Sequence, residues 1–341
     1  MKILLITREF PPHVLGGISY ALAQICDELL RDHDVEVITG TCREASDRPI
    51  HEISRDFTLH TVDFGSIEGN HIRFPYALKT FLADFDIERF DIAYTHTPLP
   101  YGLKIPLITH YHDSKRKSGE YVMKEYSTFK KILDKIVEPT RRFVDQRSLD
   151  VSDHYIFNSK ICRDAWQEYY KFSSPSNIVY NGVDSGEFFP EEGQEDYVLF
   201  IGDNERKGID DVRRFSSETQ RRVIIVGDPN HSSQYFETLS DISQEELRSL
   251  YSKAYATIHP ANFEAFGNII LESLACGTPV VVSSRCGASE LLNESTGVVS
   301  NDLTKGVEEV SSCDTASCRK LAEKYSWKAA IENLNEIFIK Y

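Results

Sequence analysis

The chain has 341 residues, about twice the usual domain size, and 41% of them are apolar, which suits two packed cores and excludes a disordered chain. A net charge of −15 excludes a general nucleic-acid binder, because phosphate contacts need a basic face. Cys26, Cys42, Cys162, Cys276, Cys286, Cys313 and Cys318 form an odd set without a Cys-x-x-Cys pair, which argues against a zinc site and a disulfide framework and fits a cytoplasmic protein.

In chain order, Lys2–Thr7 reads as a doubly buried parallel strand. Arg8, Glu9, Pro11 and Pro12 interrupt it, so the opening is expected to be neither signal peptide nor membrane anchor. A loop ending in Gly16-Gly17 precedes a helical pattern (Tyr20, Leu22, Ile25, Cys26, Leu29), and Val35–Ile38 is the next strand, completing a βαβ unit. Further strands are expected at 91–94, 106–109, 154–157 and 177–180, with a long helical stretch ending near Ser148. The pattern restarts at Tyr197–Gly202, with strands at 222–227, 256–259 and 279–282 and helices near 208–219 and 243–254. The expected fold class is therefore α/β, with two doubly wound halves joined near Gly182–Gly193.

The most informative stretch runs from His259 to Val281. A loop reaches Gly267, and a helix from about Asn268 to Cys276 is stopped by Gly277 and Pro279. The amides of Phe266, Gly267, Asn268 and Ile269 thus lie at a helix start, a place that favours a diphosphate. Glu272 stands about 6 Å further along the axis, suited to ribose hydroxyls. Glu264 lies in the preceding loop, within reach of sugar hydroxyls.

Glu264-x7-Glu272, with its Phe-Gly and Ala-Cys-Gly-Thr-Pro-Val-Val neighbours, resembles the signature of glycosyltransferase family 4. The resemblance implies a GT-B fold. Residues 1–182 would form a Rossmann-like acceptor-side domain, residues 183–325 a nucleotide-sugar domain, and a last helix near 326–341 would cross back to the first. The Phe10-Pro11-Pro12…Gly16-Gly17 loop resembles the family's first loop, whose glycines line the donor diphosphate; a plain turn is the other reading. Asn158-Ser159-Lys160 and the Asn181-Gly182 turn resemble the segments leading to the linker. His112 matches the family's histidine presented to the donor sugar, whereas His110 is expected to point to the opposite face. Lys207 before Gly208 matches the family's lysine. The family's arginine is missing, because Asp203 follows Gly202. Arg206, or failing that Arg285, is expected to supply the second cation that a departing diphosphate needs.

The resemblance implies a retaining transferase that moves a hexose-type sugar from a UDP- or GDP-sugar to a saccharide or lipid-linked hydroxyl, with no cofactor and no metal. Asp32-His33-Asp34 and Asp84-Phe85-Asp86 fit an Asp-x-Asp string but read as solvated surface, the second in a polar helical stretch. A degenerate partner subunit, a same-fold nucleotide-sugar epimerase and a dinucleotide-dependent oxidoreductase are the alternatives. Residues 115–147 carry ten basic side chains against five acidic. That excess reads as a solvated helix surface or as contact with an anionic membrane.

Overall fold

The computed structural model describes residues 1–15, 18–47, 53, 55–123, 126–227 and 234–341. In the first half, the strands are β1 (Lys2–Thr7), β2 (His13–Val14), β3 (Asp34–Thr41), β4 (Ser46–Asp47), β5 (Thr58–Asp63), β6 (Ile92–Thr95), β7 (Leu107–Tyr111), β8 (His154–Phe157) and β9 (Ser176–Ile178). The helices α1 (Ile18–Leu29), α2 (Asn70–Phe81), α3 (Lys115–Val122), α4 (Thr128–Val151) and α5 (Lys160–Gln167) connect them. Seven strands form one parallel sheet in the order β5-β3-β1-β6-β7-β8-β9, while β2 and β4 make a small antiparallel pair.

The second sheet is also parallel. It contains β10 (Val198–Ile201), β11 (Val223–Val226), β12 (Phe236–Leu239), β13 (Ala256–His259), β14 (Val280–Val282) and β15 (Gly297–Val299), in the order β12-β11-β10-β13-β14-β15. Its helices are α6 (Ile209–Thr219), α7 (Gln244–Lys253), α8 (Asn268–Ala275), α9 (Leu303–Glu309) and α10 (Thr315–Lys324). In each sheet the strand order reverses beside the first strand of that half. Ligands of doubly wound sheets bind at such a switch point, outside the carboxyl ends of the strands.

Burial explains which strands form the centre. Ile3, Leu4, Leu5 and Ile6 of β1 are fully buried, as are Val198, Leu199 and Phe200 of β10, because helices cover both faces. The last helix, α11 (Trp327–Phe338), leaves the second half and packs on α1. Its Trp327, Ile331, Leu334, Ile337 and Phe338 join the same core cluster as Ile3, Leu5 and Tyr94. Burying each such large side chain stabilises by about 1.5–3 kcal/mol.

The chain crosses between the halves twice, and the crossings touch. Val183 donates its N–H to the Tyr325 carbonyl at 2.9 Å and bridges Ser326. A Cβ on Gly182 would lie 2.3 Å from the Trp327 nitrogen, so only glycine fits there. The Asp84–Asp86 segment differs from expectation. It is a turn after α2, not a helical stretch, and Phe85 stacks on Phe90 at 5.9 Å between centroids.

Candidate active site

The loops after β10, β13 and β14 leave the same rim of the second sheet and are stitched together. Asn262 donates its side-chain N–H to the Glu205 carbonyl (2.8 Å) and its backbone N–H to the Arg206 carbonyl (2.8 Å). Glu264 is clamped by its backbone, donating to the Arg285 carbonyl (3.0 Å) and accepting from the Gly287 amide (2.9 Å). Its carboxylate takes a hydrogen bond from Arg206 Nη1 at 3.1 Å and faces His259 Nε2 at 3.6 Å. Arg206 Nη1 also donates to the Phe263 carbonyl at 3.0 Å. Burial works to raise the Glu264 carboxyl, but His259, Arg206 and Lys207 outweigh it and hold it at about 2. Glu264 is therefore a fixed anion, a hydrogen-bond acceptor at any physiological pH.

Gly267 opens α8 with φ of 93°, the left-handed region that glycine tolerates. A Cβ there would lie 3.0 Å from Cys286 Sγ and 3.4 Å from Glu264 Cγ. Ile270 donates its N–H to the Gly267 carbonyl at 3.0 Å, which leaves the Asn268 and Ile269 amides as the first-turn donors without an intrahelical acceptor, a pair that suits an anion. One turn along, Glu272 accepts a hydrogen bond from the buried Tyr251 hydroxyl at 2.8 Å. Burial lifts the Glu272 carboxyl to about 7, against the Tyr251 bond and the Lys207 charge. Gly202 leaves room for the Lys207 stem, since a Cβ there would meet Lys207 Cδ at 2.8 Å. Asp203 is exposed and accepts from Asn204 Nδ2 at 2.8 Å. Arg285, the weaker substitute for the missing arginine, donates to the Ala261 carbonyl at 3.3 Å.

The first half supplies the opposite wall. α3 packs on residues 205–207, and Ser159 Oγ donates to the Ala265 carbonyl across the divide. Asn158 holds the His112 carbonyl at 3.0 Å, just beyond β7. Burial pushes the His112 imidazole down to about 3, so the ring is neutral. Its Nε2 lies 2.6 Å from His96 Nδ1, at the end of β6. Gly16 and Gly17 fall outside the described residues. On either side of them, the buried Glu9 carboxylate accepts from the Leu15 amide (3.3 Å) and the Ser19 hydroxyl (2.7 Å).

Residues 15–187 match the sequence profile of Glycosyltransferase Family 4, and residues 186–329 that of Glycosyl transferases group 1. The chain belongs to glycosyltransferase family 4. An uncharacterized glycosyltransferase of Methanocaldococcus jannaschii is 22% identical, covering 96% of this chain and 95% of its own. Sucrose-phosphate synthase from Thermosynechococcus elongatus superposes with a TM-score of 0.77 at 19% identity, over 99% of this chain and 98% of that one. HepE of Anabaena, solved with UDP and glucose, superposes with a TM-score of 0.67 at 16% identity over 100% of both chains. These likenesses establish the fold as GT-B, with two Rossmann-like lobes and the last helix returning to the first.

In this glycosyltransferase, Glu264, Arg206, Gly267 and the start of α8 lie together, and Lys207 acts on both Glu264 and Glu272. Two expectations are corrected. His110 does not point away from His112; their rings stack at 4.1 Å, because residues two apart on a strand share a face. The expected Asn181-Gly182 turn does not form; the segment runs straight on, and the Asn181 side chain donates to Asn268 Oδ1 at 2.8 Å, at the first residue of α8. His96, His259 and Tyr251 escaped the reading of the sequence. The available signal for the two histidines was their place at the carboxyl ends of β6 and β13, where parallel sheets carry their sites. Nothing local marks Tyr251. The basic run is also less free than its composition suggests: Lys117 pairs with Glu168, Arg141 with Asp134, Arg147 with Asp150, and Arg116 with Glu138. Among the described residues no helix is long and apolar enough to cross a membrane.

Proposed function

We propose that this enzyme transfers a hexose-type sugar from a UDP- or GDP-sugar to a hydroxyl of a saccharide or lipid-linked acceptor, with retention and without a metal. The observation that carries the reading is the meeting of the α8 start with Glu264, Arg206 and Lys207 on one rim, opposite His112. The α8 amides, Lys207 and Arg206 hold the diphosphate, and Glu272 holds the ribose hydroxyls. Glu264 and His112 hold the sugar. Fixed cations and amides stabilise the charge that grows on the departing diphosphate, the work a metal does in other transferases. The acceptor oxygen bonds to the anomeric carbon on the face the diphosphate leaves, the anomeric carbon–phosphate oxygen bond breaks, and the acceptor proton passes to the departing phosphate oxygen. Glu264, held at about 2 by its cationic neighbours, serves as a binding group.

The test is a thermal-shift panel of UDP-, GDP-, ADP- and dTDP-sugars in EDTA, run with wild type and Glu272→Ala. Stabilisation by one nucleotide, lost in the variant, is expected. Silence across the panel from folded protein would refute the donor site and favour the degenerate-subunit reading.

The acceptor side carries an apolar stripe on α4. Phe129, Ile132, Leu133, Ile136 and Phe143 are 45–72% exposed. At roughly 100° per residue they fall within about 100° of arc, with Lys130 and Lys135 about 110° to either side of its centre. Val144, Ser148 and Leu149 turn the rest of the helix to the body. An apolar stripe flanked by lysines fits the surface of an anionic bilayer, so the favoured acceptor is lipid-linked and the enzyme peripheral. Liposomes containing phosphatidylglycerol should sediment the protein. Substituting glutamine at Lys130, Lys131 and Lys135, or aspartate at Phe129 and Ile136, should abolish this. Unchanged binding by both variants would refute it.

A further inference from the structure

The strand register gathers three histidines that the transfer reaction does not need as a group. Thr95 of β6 pairs with Thr109 of β7, so His96 comes to lie beside His110, and alternation sets His112 on the same face. One nitrogen of each ring lies within 4.8 Å of the other two. His96 Nδ1 and His112 Nε2 are 2.6 Å apart, and His110 Nδ1 is hydrogen-bonded to the Tyr94 hydroxyl at 2.7 Å. The remaining nitrogens of His96 and His110, both Nε2, are buried and have no hydrogen-bond partner. His96 is 8% exposed and His110 3%. Leaving a buried polar atom unpaired costs about 1–3 kcal/mol, so the orphaned His110 Nε2 beside the His96–His112 pair invites a ligand.

We infer that His96, His110 and His112 form a binding site for a divalent transition-metal ion of the zinc class. Three imidazoles with no carboxylate in the set select zinc, cobalt, nickel or copper over magnesium or calcium, which require oxygen. Tyr94 occupies Nδ1 of His110, so Nε2 is the nitrogen left for the metal; a polar partner on the second nitrogen is the usual support of a metal-bound histidine. The metal takes the position of the hydrogen shared between His96 and His112. Their nitrogens then separate to about 3.3 Å, the spacing set by two bonds of about 2.0 Å at a tetrahedral angle. His110 now lies face to face with His112 at a 28° tilt, so its ring turns to aim Nε2 inward and the Tyr94 hydroxyl moves with Nδ1 to keep their bond. Three protein ligands leave a fourth position open to water or to a phosphate oxygen.

Metal uptake stands independently of the proposed donor site. Its consequence, that the ion withdraws His112 from the sugar and switches transfer off, rests on that reading. The decisive experiment is titration of the EDTA-stripped full chain with Co²⁺, followed by visible absorption, and with Zn²⁺ against a chromogenic chelator. One equivalent is expected, with tetrahedral Co²⁺ bands and no thiolate charge-transfer band. His96→Ala, His110→Ala and His112→Ala, each verified as folded by thermal melt, should each weaken Zn²⁺ binding by about tenfold or more. Cys313→Ser, which removes the one cysteine that is not buried, should leave binding unchanged. If one histidine variant fails to fold, the other two carry the test. No cobalt spectrum, or one that survives all three substitutions, would overturn the site while leaving the EDTA nucleotide panel to judge the transferase reading on its own.

Discussion

The two glutamates of the signature sit in opposite electrostatic settings. Glu264 is held at about 2 and Glu272 is lifted to about 7, the difference lying in Arg206 and His259, which face only the first. A ribose contact needs the Glu272 carboxylate ionised. Below pH 7 a proton must first be lost, so nucleotide-sugar affinity should rise by up to about tenfold from pH 6 to pH 8. Calorimetry in buffers of different ionisation heat should show proton release, and Glu272→Gln should flatten the profile. The folding contribution has the same origin. A raised carboxyl stabilises the fold below its unfolded value, and that stability is lost as pH climbs through 7. Arg206→Ala should lower the transfer rate by about 10²-fold or more. An unaffected rate would remove Arg206 as the substitute for the missing family arginine. Glu264, Glu272, Lys207 and the Gly267 helix start were legible because their spacing is local. Tyr251 was not, because it reaches Glu272 only through the packing of α7 on α8. His110 was misread by parity alone.

At the scale of elements, the central strands were legible as unbroken apolar runs, since both faces are covered. β5 and β12 were missed for the converse reason. Each lies at a sheet edge, and Thr58–Asp63 has only Val62 buried, so it carries polar residues and no apolar run. The α8 start depends on one residue. Gly267→Ala places a Cβ against Cys286 Sγ at a φ that only glycine adopts readily. It should destabilise by about 1–3 kcal/mol, seen as a lower melting temperature. It should also weaken nucleotide binding more than a surface substitution of equal melting cost. Preserved affinity would show that the α8 amides do not hold the diphosphate.

At the scale of the whole molecule, Glu290 ties the lobes together. Its carboxylate accepts from the Lys160 and Ile161 amides at the start of α5, at 3.2 and 3.0 Å, and from the Tyr180 hydroxyl at 2.9 Å. The same 287–291 turn supports the Glu264 loop through the Gly287 amide. Glu290→Ala should therefore loosen the lobes, with a larger radius of gyration in solution scattering and weaker donor binding at unchanged secondary structure. No change in scattering would mean that the shared apolar contacts of Tyr111, Phe157 and Phe263 suffice to hold the lobes closed.

The return of α11 also dictates an order of assembly during synthesis. The second lobe is one uninterrupted stretch of chain and has all its strands once β15 has emerged from the ribosome. The first lobe, though its sheet is translated earlier, lacks Trp327, Ile331, Leu334 and Phe338 until α11 follows. Domains usually fold in the order in which they are made. Here the earlier lobe must wait with an open core for a helix translated after its neighbour, so the second lobe matures first and the first is finished last.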